Sequence, residues 1–257
     1  MTADVVTVDV DGVVGYITLN RPDAMNAITV ELGRKLELAL LDLASKANVI
    51  VIRGAEGNFS VGGDFRELER LRAGGAAALR PLFENFARAC SRIETIEIPV
   101  IAVVEGYAMA GGFELMLACD ITLVRSDAKL ADNHANFGQV PGGGSSQRLP
   151  RLAGRQRALG HILSGERMSG AQAEQWGLAY RSFTPRDFED GVKAYIERIA
   201  GLDRLALAKS KRLVYAGLSM PLNNGIAMEL TTVIDHVVGD SAGAGIATFT
   251  QTKGDAS

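Results

Sequence analysis

The chain has 257 residues, 47% of them hydrophobic and 22% charged, with a formal net charge of −3. That is enough apolar content for one large domain, or a domain with a helical appendage. The slightly acidic balance does not indicate a nucleic-acid surface, and no apolar run is long enough to span a bilayer. Cys90 and Cys119 lie far apart and have no metal-ligand spacing, which points to a reduced intracellular protein with no metal site. The first ten residues carry Asp4 and Asp9 and lack a basic region followed by an apolar one, so a cytoplasmic location is expected.

Val5–Val10 and Val13–Asn20 are β-rich runs separated by Asp11-Gly12, a hairpin signal. Arg21-Pro22-Asp23 ends the second run. Thr29 then stands as an N-cap before a helical stripe of Leu32, Leu36, Leu40 and Leu43. Val49–Arg53 is a short buried strand, followed by a glycine-bearing loop from Gly54 to Asp64. A helical region covers Phe65 to Ile96 and is loosened at Gly74-Gly75. Beyond Pro99 comes a buried strand, Val100–Val104, then a loop over Gly106–Gly112, a helix through Phe113–Ala118 and a strand at Ile121–Arg125. This alternation of strand, loop and helix predicts an α/β domain. After Phe183 the strands stop, and from Pro185 onward the chain reads as helices broken near Gly201, Gly217–Pro221 and Gly239. Leu205, Leu213, Ile226 and Leu230 on those helices could cover the core or a partner subunit. The division expected is a core over residues 1–195 and a helical region over 196–257.

Two strand-to-helix loops carry candidate chemistry. The first is Phe59-Ser60-Val61-Gly62-Gly63-Asp64-Phe65 and the second runs from Gly106 to Leu115 with Gly111-Gly112 at the helix start. Paired glycines let backbone N–H groups approach a ligand closely, and two such donors aimed at one point make an oxyanion hole. The helix dipole would assist the second. Glu114, one turn into that helix, can serve as a general base. Glycine-rich junctions also occur merely to make tight turns, and neither loop has the spacing of a phosphate-binding loop.

These residues resemble the crotonase superfamily, the enoyl-CoA hydratase/isomerase proteins. The similarity rests on Asn20-Arg21-Pro22-Asp23-Ala24-Met25-Asn26-Ala27, the Phe59–Asp64 loop, Gly106–Asp120 and Phe137-Gly138-Gln139-Val140-Pro141-Gly142-Gly143-Gly144-Ser145-Ser146-Gln147-Arg148-Leu149. Ser210-Lys211 and Ala247-Thr248-Phe249 add to it more weakly. The resemblance implies a spiral of ββα units with a C-terminal helical trimerisation region, assembled as a homotrimer or a dimer of trimers. It places the backbone N–H groups of Gly63 and Gly111 on the thioester oxygen of an acyl-CoA. Ala24, Asp64, Phe65 and Arg66 would line the coenzyme A site, with Arg66 near the phosphates and Lys253 as a further phosphate contact. No cofactor is implied, since coenzyme A enters as part of the substrate. The Glu67–Glu84 segment would form part of the acyl pocket wall.

Hydratases of this family typically use two glutamates. Glu114 matches the first. The position of the second, counted back from Gln147-Arg148-Leu149, holds His134. Histidine is a competent acid–base group near neutral pH. His134 could protonate the substrate Cα, orient a water, shape the pocket, or be a buried hydrogen-bonded side chain, and Asp132 could set its tautomer or share its proton. His161 and His236 lie away from the motifs and read as packed or solvated, and Asp64 also reads as a helix cap. The expectation is water addition to a trans-2-enoyl-CoA, with Glu114 as base and His134 as proton donor. Double-bond isomerisation, thioester or β-diketone hydrolysis, and a non-catalytic acyl-CoA-binding module are the alternatives.

Overall fold

The computed structural model describes residues 4–243. They fall into two compact units: the chain up to Ile96 with Val100–Ala200, and Glu97–Pro99 with the chain from Gly201 onward.

The first unit begins with the hairpin read from Asp11-Gly12. β1 (Val6–Asp11) pairs antiparallel with β2 (Val14–Leu19), and Gly12 takes the positive φ that the turn demands. The helix α1 (Val30–Ala44) starts at Thr29, whose Oγ1 accepts the Leu32 N–H at 3.1 Å. All four leucines of its stripe are fully buried, so the 3.6-residue period predicts the packed face correctly. β3 (Val49–Gly54) and β4 (Val100–Val104) are almost continuous apolar runs because both of their faces are covered. Between them, α2 (Phe65–Arg72) and α3 (Gly75–Thr95) replace the single loosened helix, with Gly75 at φ +72° marking the break.

Four further short strands were not distinguished by the sequence. The stretch read as a loop over Gly106–Gly112 contains β5 (Tyr107–Met109), and α4 (Gly111–Ala118) starts two residues earlier than Phe113. β6 (Ile121–Arg125) leads to β7 (Lys129–Ala131), then to α5 (Ser145–Ala153), α6 (Arg155–Ser164), β8 (Met168–Ser169), α7 (Gly170–Gln175), β9 (Arg181–Phe183) and α8 (Phe188–Ala200). Runs of two or three residues carry no readable period, which is why pattern alone misses them.

The strands form two sheets. The larger has the order β1-β2-β3-β4-β6-β9, parallel except for the hairpin. The smaller has the order β5-β7-β8, with β5 and β7 parallel. Ser60 extends the smaller sheet through a parallel bridge to Ala108. The chain thus repeats one unit three times. A strand enters the large sheet (β3, β4, β6). A second short extended segment enters the small one (Ser60, β5, β7). A helix follows (α2, α4, α5). This is the strand–strand–helix spiral the resemblance implies. Its consequence is that three chain crossings leave adjacent, parallel small-sheet segments side by side.

The second unit contains α9 (Arg204–Gly217) and α10 (Leu222–Val237), which pack on each other. Asp203 caps α9 by accepting the Ala206 N–H at 2.7 Å. Leu205, Leu218, Leu222, Ile226, Leu230 and Val238 of this unit are exposed.

Candidate active site

Loops that follow the carboxyl ends of parallel strands are where open α/β sheets gather ligand-binding groups. Here the segments after Ser60, β5 and β7 are stitched to one another. The Ser60 N–H donates to the Tyr107 carbonyl at 2.9 Å and the Met109 N–H to the Ser60 carbonyl at 2.9 Å. The Ala110 N–H donates to the Ala131 carbonyl at 2.8 Å. Close approach depends on glycine. A Cβ at Gly62 would come within 3.0 Å of the Gly111 nitrogen, and one at Gly112 would fall 2.2 Å from the Ser60 carbonyl oxygen. Ala110 is held at φ +47° and ψ −116°, a strained conformation for a residue with a side chain. It turns the chain from β5 into α4.

This geometry brings Gly63 and Gly111 to one place. The bridge between Ile28 and Gly63 uses the Gly62 carbonyl and the Asp64 N–H, so the Gly63 N–H is left over. Gly111 is the first residue of α4, where no intrahelical acceptor is available. Among the described residues, neither of these two N–H groups donates to a protein acceptor. A Cβ on Gly63 would meet nothing within 4 Å. The result is a pair of free backbone donors beside open space.

Glu114 lies on the same first turn of α4 and is 2% exposed. Its Oε1 accepts the Gly143 N–H at 2.7 Å and the Ser145 N–H at 3.0 Å. These donors come from the glycine-rich stretch before α5, which Arg148 braces by donating to the Gly143 carbonyl at 2.8 Å. Burial raises the Glu114 carboxyl above the usual carboxylate range, against the lowering effect of those N–H groups and of His134. Oε2 is left facing His134 Nε2 at 3.8 Å. That is too long for a hydrogen bond, and close enough for one oxygen lying to the side of the pair to contact both.

His134 opens the turn that follows β7. Its Nδ1 lies 2.6 Å from Asp132 Oδ1. Burial works against the imidazolium, but the Asp132 hydrogen bond and charge, with the Glu114 charge, outweigh it and raise His134 above its ordinary value. Burial likewise disfavours the Asp132 carboxylate, and the His134 contact more than offsets it, so Asp132 sits below its ordinary value. Asp132 is fully buried, and its backbone N–H donates to His161 Nε2 at 3.1 Å. The accepted N–H requires that Nε2 carry no proton, and burial lowers His161 below its ordinary value in the same sense. The expectation that His161 lies apart from the motifs is therefore corrected: it is packed between Phe113 and Trp176, directly beneath Asp132.

The other expected positions divide. Asp64 caps α2 by accepting the Arg66 and Glu67 N–H groups at 3.0 and 3.1 Å, and pairs with Arg21 at 2.8 Å. Its carboxylate is thus committed to structure. Phe65 is exposed and meets the Phe137 ring at 5.2 Å, forming an apolar rim. Arg66 is exposed next to it. Ala24 sits in the turn Pro22–Ala24, which Asn26 anchors by donating to the Ala55 and Asn58 carbonyls at 3.0 and 2.7 Å. Of the expected acyl wall, Leu82 belongs to the buried face of α3, whereas Phe83 is exposed and lies against Gly142. Lys253 and the Ala247–Phe249 stretch lie outside the described residues. Residues the sequence reading gave no role are Gly143 and Ser145, which hold Glu114. The run Gly142-Gly143-Gly144-Ser145 was the available signal, since it lets backbone N–H groups approach a carboxylate.

A family model described as enoyl-CoA hydratase/isomerase matches residues 9–255. The chain is 33% identical over 231 residues, 89% of its own length and 88% of the other's, to a protein of Rhizobium meliloti named a probable enoyl-CoA hydratase. It is 31% identical to one of the same description from Mycobacterium leprae, covering 98% of this chain and 97% of that one. Among solved structures, an enoyl-CoA hydratase from Polaromonas sp. JS666 superposes with a TM-score of 0.92 at 27% identity, covering 96% and 97% of the two chains.

Proposed function

This chain belongs to the enoyl-CoA hydratase/isomerase family, and from that premise we propose that it adds water across the α,β double bond of a trans-2-enoyl-CoA. The observation that carries the reading is that Glu114 Oε2 and His134 Nε2 lie 3.8 Å apart, with Glu114 on the first turn of the helix whose first residue, Gly111, has a free N–H. Two acid–base groups stand near enough for a single water, lying to one side, to reach both.

The steps follow from which atoms are already engaged. The thioester oxygen accepts hydrogen bonds from Gly63 and Gly111, so charge that develops as the enolate forms meets donors that need no reorganisation. Glu114 Oε1 is occupied by backbone donors, which leaves Oε2 to take a proton from water. The water oxygen bonds to Cβ while the C=C π pair moves towards the thioester. His134, charged and held at Nδ1 by Asp132, gives its Nε2 proton to Cα. One proton has then moved onto Glu114 and one has left His134, and return of the first to His134 resets the site. Coenzyme A enters as part of the substrate, with its chain running past Ala24, Phe65 and Arg66, and Lys253 as a further phosphate contact. No metal or redox group takes part in these steps.

Two further expectations belong with this reading. The exposed apolar residues of α9 and α10 support assembly into a homotrimer or a dimer of trimers. A cytoplasmic location fits the composition, and no described helix is long and apolar enough to cross a membrane.

The test is loss of the conjugated thioester absorbance of a short trans-2-enoyl-CoA. Turnover by the wild type, with severe loss in Glu114→Gln and His134→Ala, is expected. A folded protein that binds coenzyme A yet leaves the absorbance unchanged would overturn hydration. Migration of a β,γ double bond would indicate isomerisation by Glu114 alone.

A further inference from the structure

Besides Asn133 Oδ1, two buried side-chain atoms near the site lack a hydrogen-bond partner among the described residues: Asp132 Oδ2 and Ser145 Oγ. Both residues are fully buried. An unpaired carboxylate oxygen in an apolar interior is costly, and so is an unpaired hydroxyl. The two are complementary, one an acceptor and the other a donor, and the hydroxyl is close enough to contribute to holding Asp132 ionised against the effect of burial.

Ser145 also occupies a singular place. Its backbone N–H holds Glu114 Oε1 at 3.0 Å, on one side of the reacting gap. Its hydroxyl looks towards the carboxylate that holds His134 on the other side. We propose that Ser145 is a positioning residue: its hydroxyl donates to the outer oxygen of Asp132, and so one residue aligns both the Glu114 carboxylate and the Asp132–His134 pair. The consequence for turnover rests on the hydration reading above, but the alignment itself does not.

Among the described residues, the charged groups that act on this pair can be named. Asp132 and Glu114 face His134. His161 donates nothing to the Asp132 carboxylate, since its Nε2 accepts the Asp132 backbone N–H. Glu166 faces His161 rather than His134. Arg148 donates to the Gly143 carbonyl, and its charge acts on Cys90, a thiol that burial pushes up to about 12 and so keeps inert. Among the described residues, Asp132 is the carboxylate within hydrogen-bond distance of His134, and its outer oxygen, Oδ2, has no geometric partner. Remove the hydroxyl and the Asp132 anion loses a stabilising neighbour. It then turns away or takes up a proton, and the imidazolium loses its counter-charge.

The experiment is an NMR titration of the imidazole groups in the unliganded protein, which contains only three histidines, together with the pH profile of kcat/KM. In Ser145→Ala the His134 midpoint is expected to fall by about half to one pH unit, the scale of a lost hydrogen bond. The alkaline limb of kcat/KM should move down by the same amount. The value of kcat should fall about tenfold with KM within about twofold. Ser145→Thr, which keeps the hydroxyl, should restore both midpoint and limb. Ser145→Cys keeps the size and weakens the donor, and carries the same test if the alanine variant does not fold. A folded variant with an unmoved His134 midpoint overturns the proposal, even if it is less stable, because a purely structural serine would show that. The titration needs no substrate. An absent hydration activity with a shifted midpoint would therefore sink the reaction and leave the role of Ser145 standing.

Discussion

The two sides of the reacting gap are built differently. Glu114 is held by backbone: N–H groups of Gly143 and Ser145 grip one oxygen, and the carboxylate is fixed by the path of the chain into α5. His134 is held by a side chain, Asp132, whose charge also sets the protonation of the imidazole. A backbone grip fixes position but tunes little, since every residue type offers the same N–H. A side-chain grip fixes position and proton affinity together, and a single substitution can retune it. The Glu114 side is thus the rigid half of the site and the His134 side the adjustable half.

The comparison breaks most sharply at Glu114. Glu114→Gln keeps the shape and both backbone hydrogen bonds to Oε1 but removes the base, so kcat should fall by about 10³-fold with KM little changed. A loss below about tenfold, measured by loss of the enoyl thioester absorbance, would mean that Glu114 is not the base. Next comes His134→Ala, where a fall of about 10²-fold is expected, together with disappearance of the alkaline limb of the kcat/KM profile.

The sign of that limb follows from the shift. His134 is raised above the ordinary histidine value of about 6.5, so its proton is present below that pH and is lost as the pH rises through the higher, folded-state value. The wild-type alkaline limb should accordingly lie above about 6.5, and a limb below that value would contradict the Asp132 grip. Asp132→Asn sharpens the same point. It keeps an acceptor oxygen but removes the charge, so the limb should move down by about one unit and kcat should drop about tenfold.

The smallest effect belongs to the rigid half. Arg148→Met removes the bond to the Gly143 carbonyl while keeping most of the packed stem. A loss of about 1–2 kcal/mol in stability is expected, a few degrees in Tm, with a change of only a few-fold in kcat and no movement of either limb. A shifted limb in this variant would show that the Glu114 side is tunable after all.

Much of this site is legible in the sequence because its elements are local. The stripe of Leu32, Leu36, Leu40 and Leu43 obeys the helical period, and Thr29 is a cap wherever that helix goes. Asp11-Gly12 makes its hairpin regardless of what packs on it. Gly63, Gly111 and Glu114 stand within single loop–helix junctions whose residue types already suggest donors and a base. His134 follows from the gapless count to Gln147-Arg148-Leu149. The sequence is silent where a contact joins distant residues. Asp64, read as a helix cap and found as one, also pairs with Arg21, 43 positions away. His161 reaches Asp132 across 29 positions, and Ser145 reaches Glu114 across 31.

What the sequence by itself determined was the longer strands and helices of the first half of the chain, the family and the identity of the groups that can move a proton, since each is written in nearest-neighbour sterics, hydrophobic period or short motifs. The tertiary structure alone decided that these groups share one gap. That convergence comes from β5, β7 and the Ser60 bridge, segments of one to three residues with no period of their own. They are extended only because the neighbouring segment offers hydrogen bonds, and adjacency in a small sheet is a property of the wound chain rather than of any stretch along it.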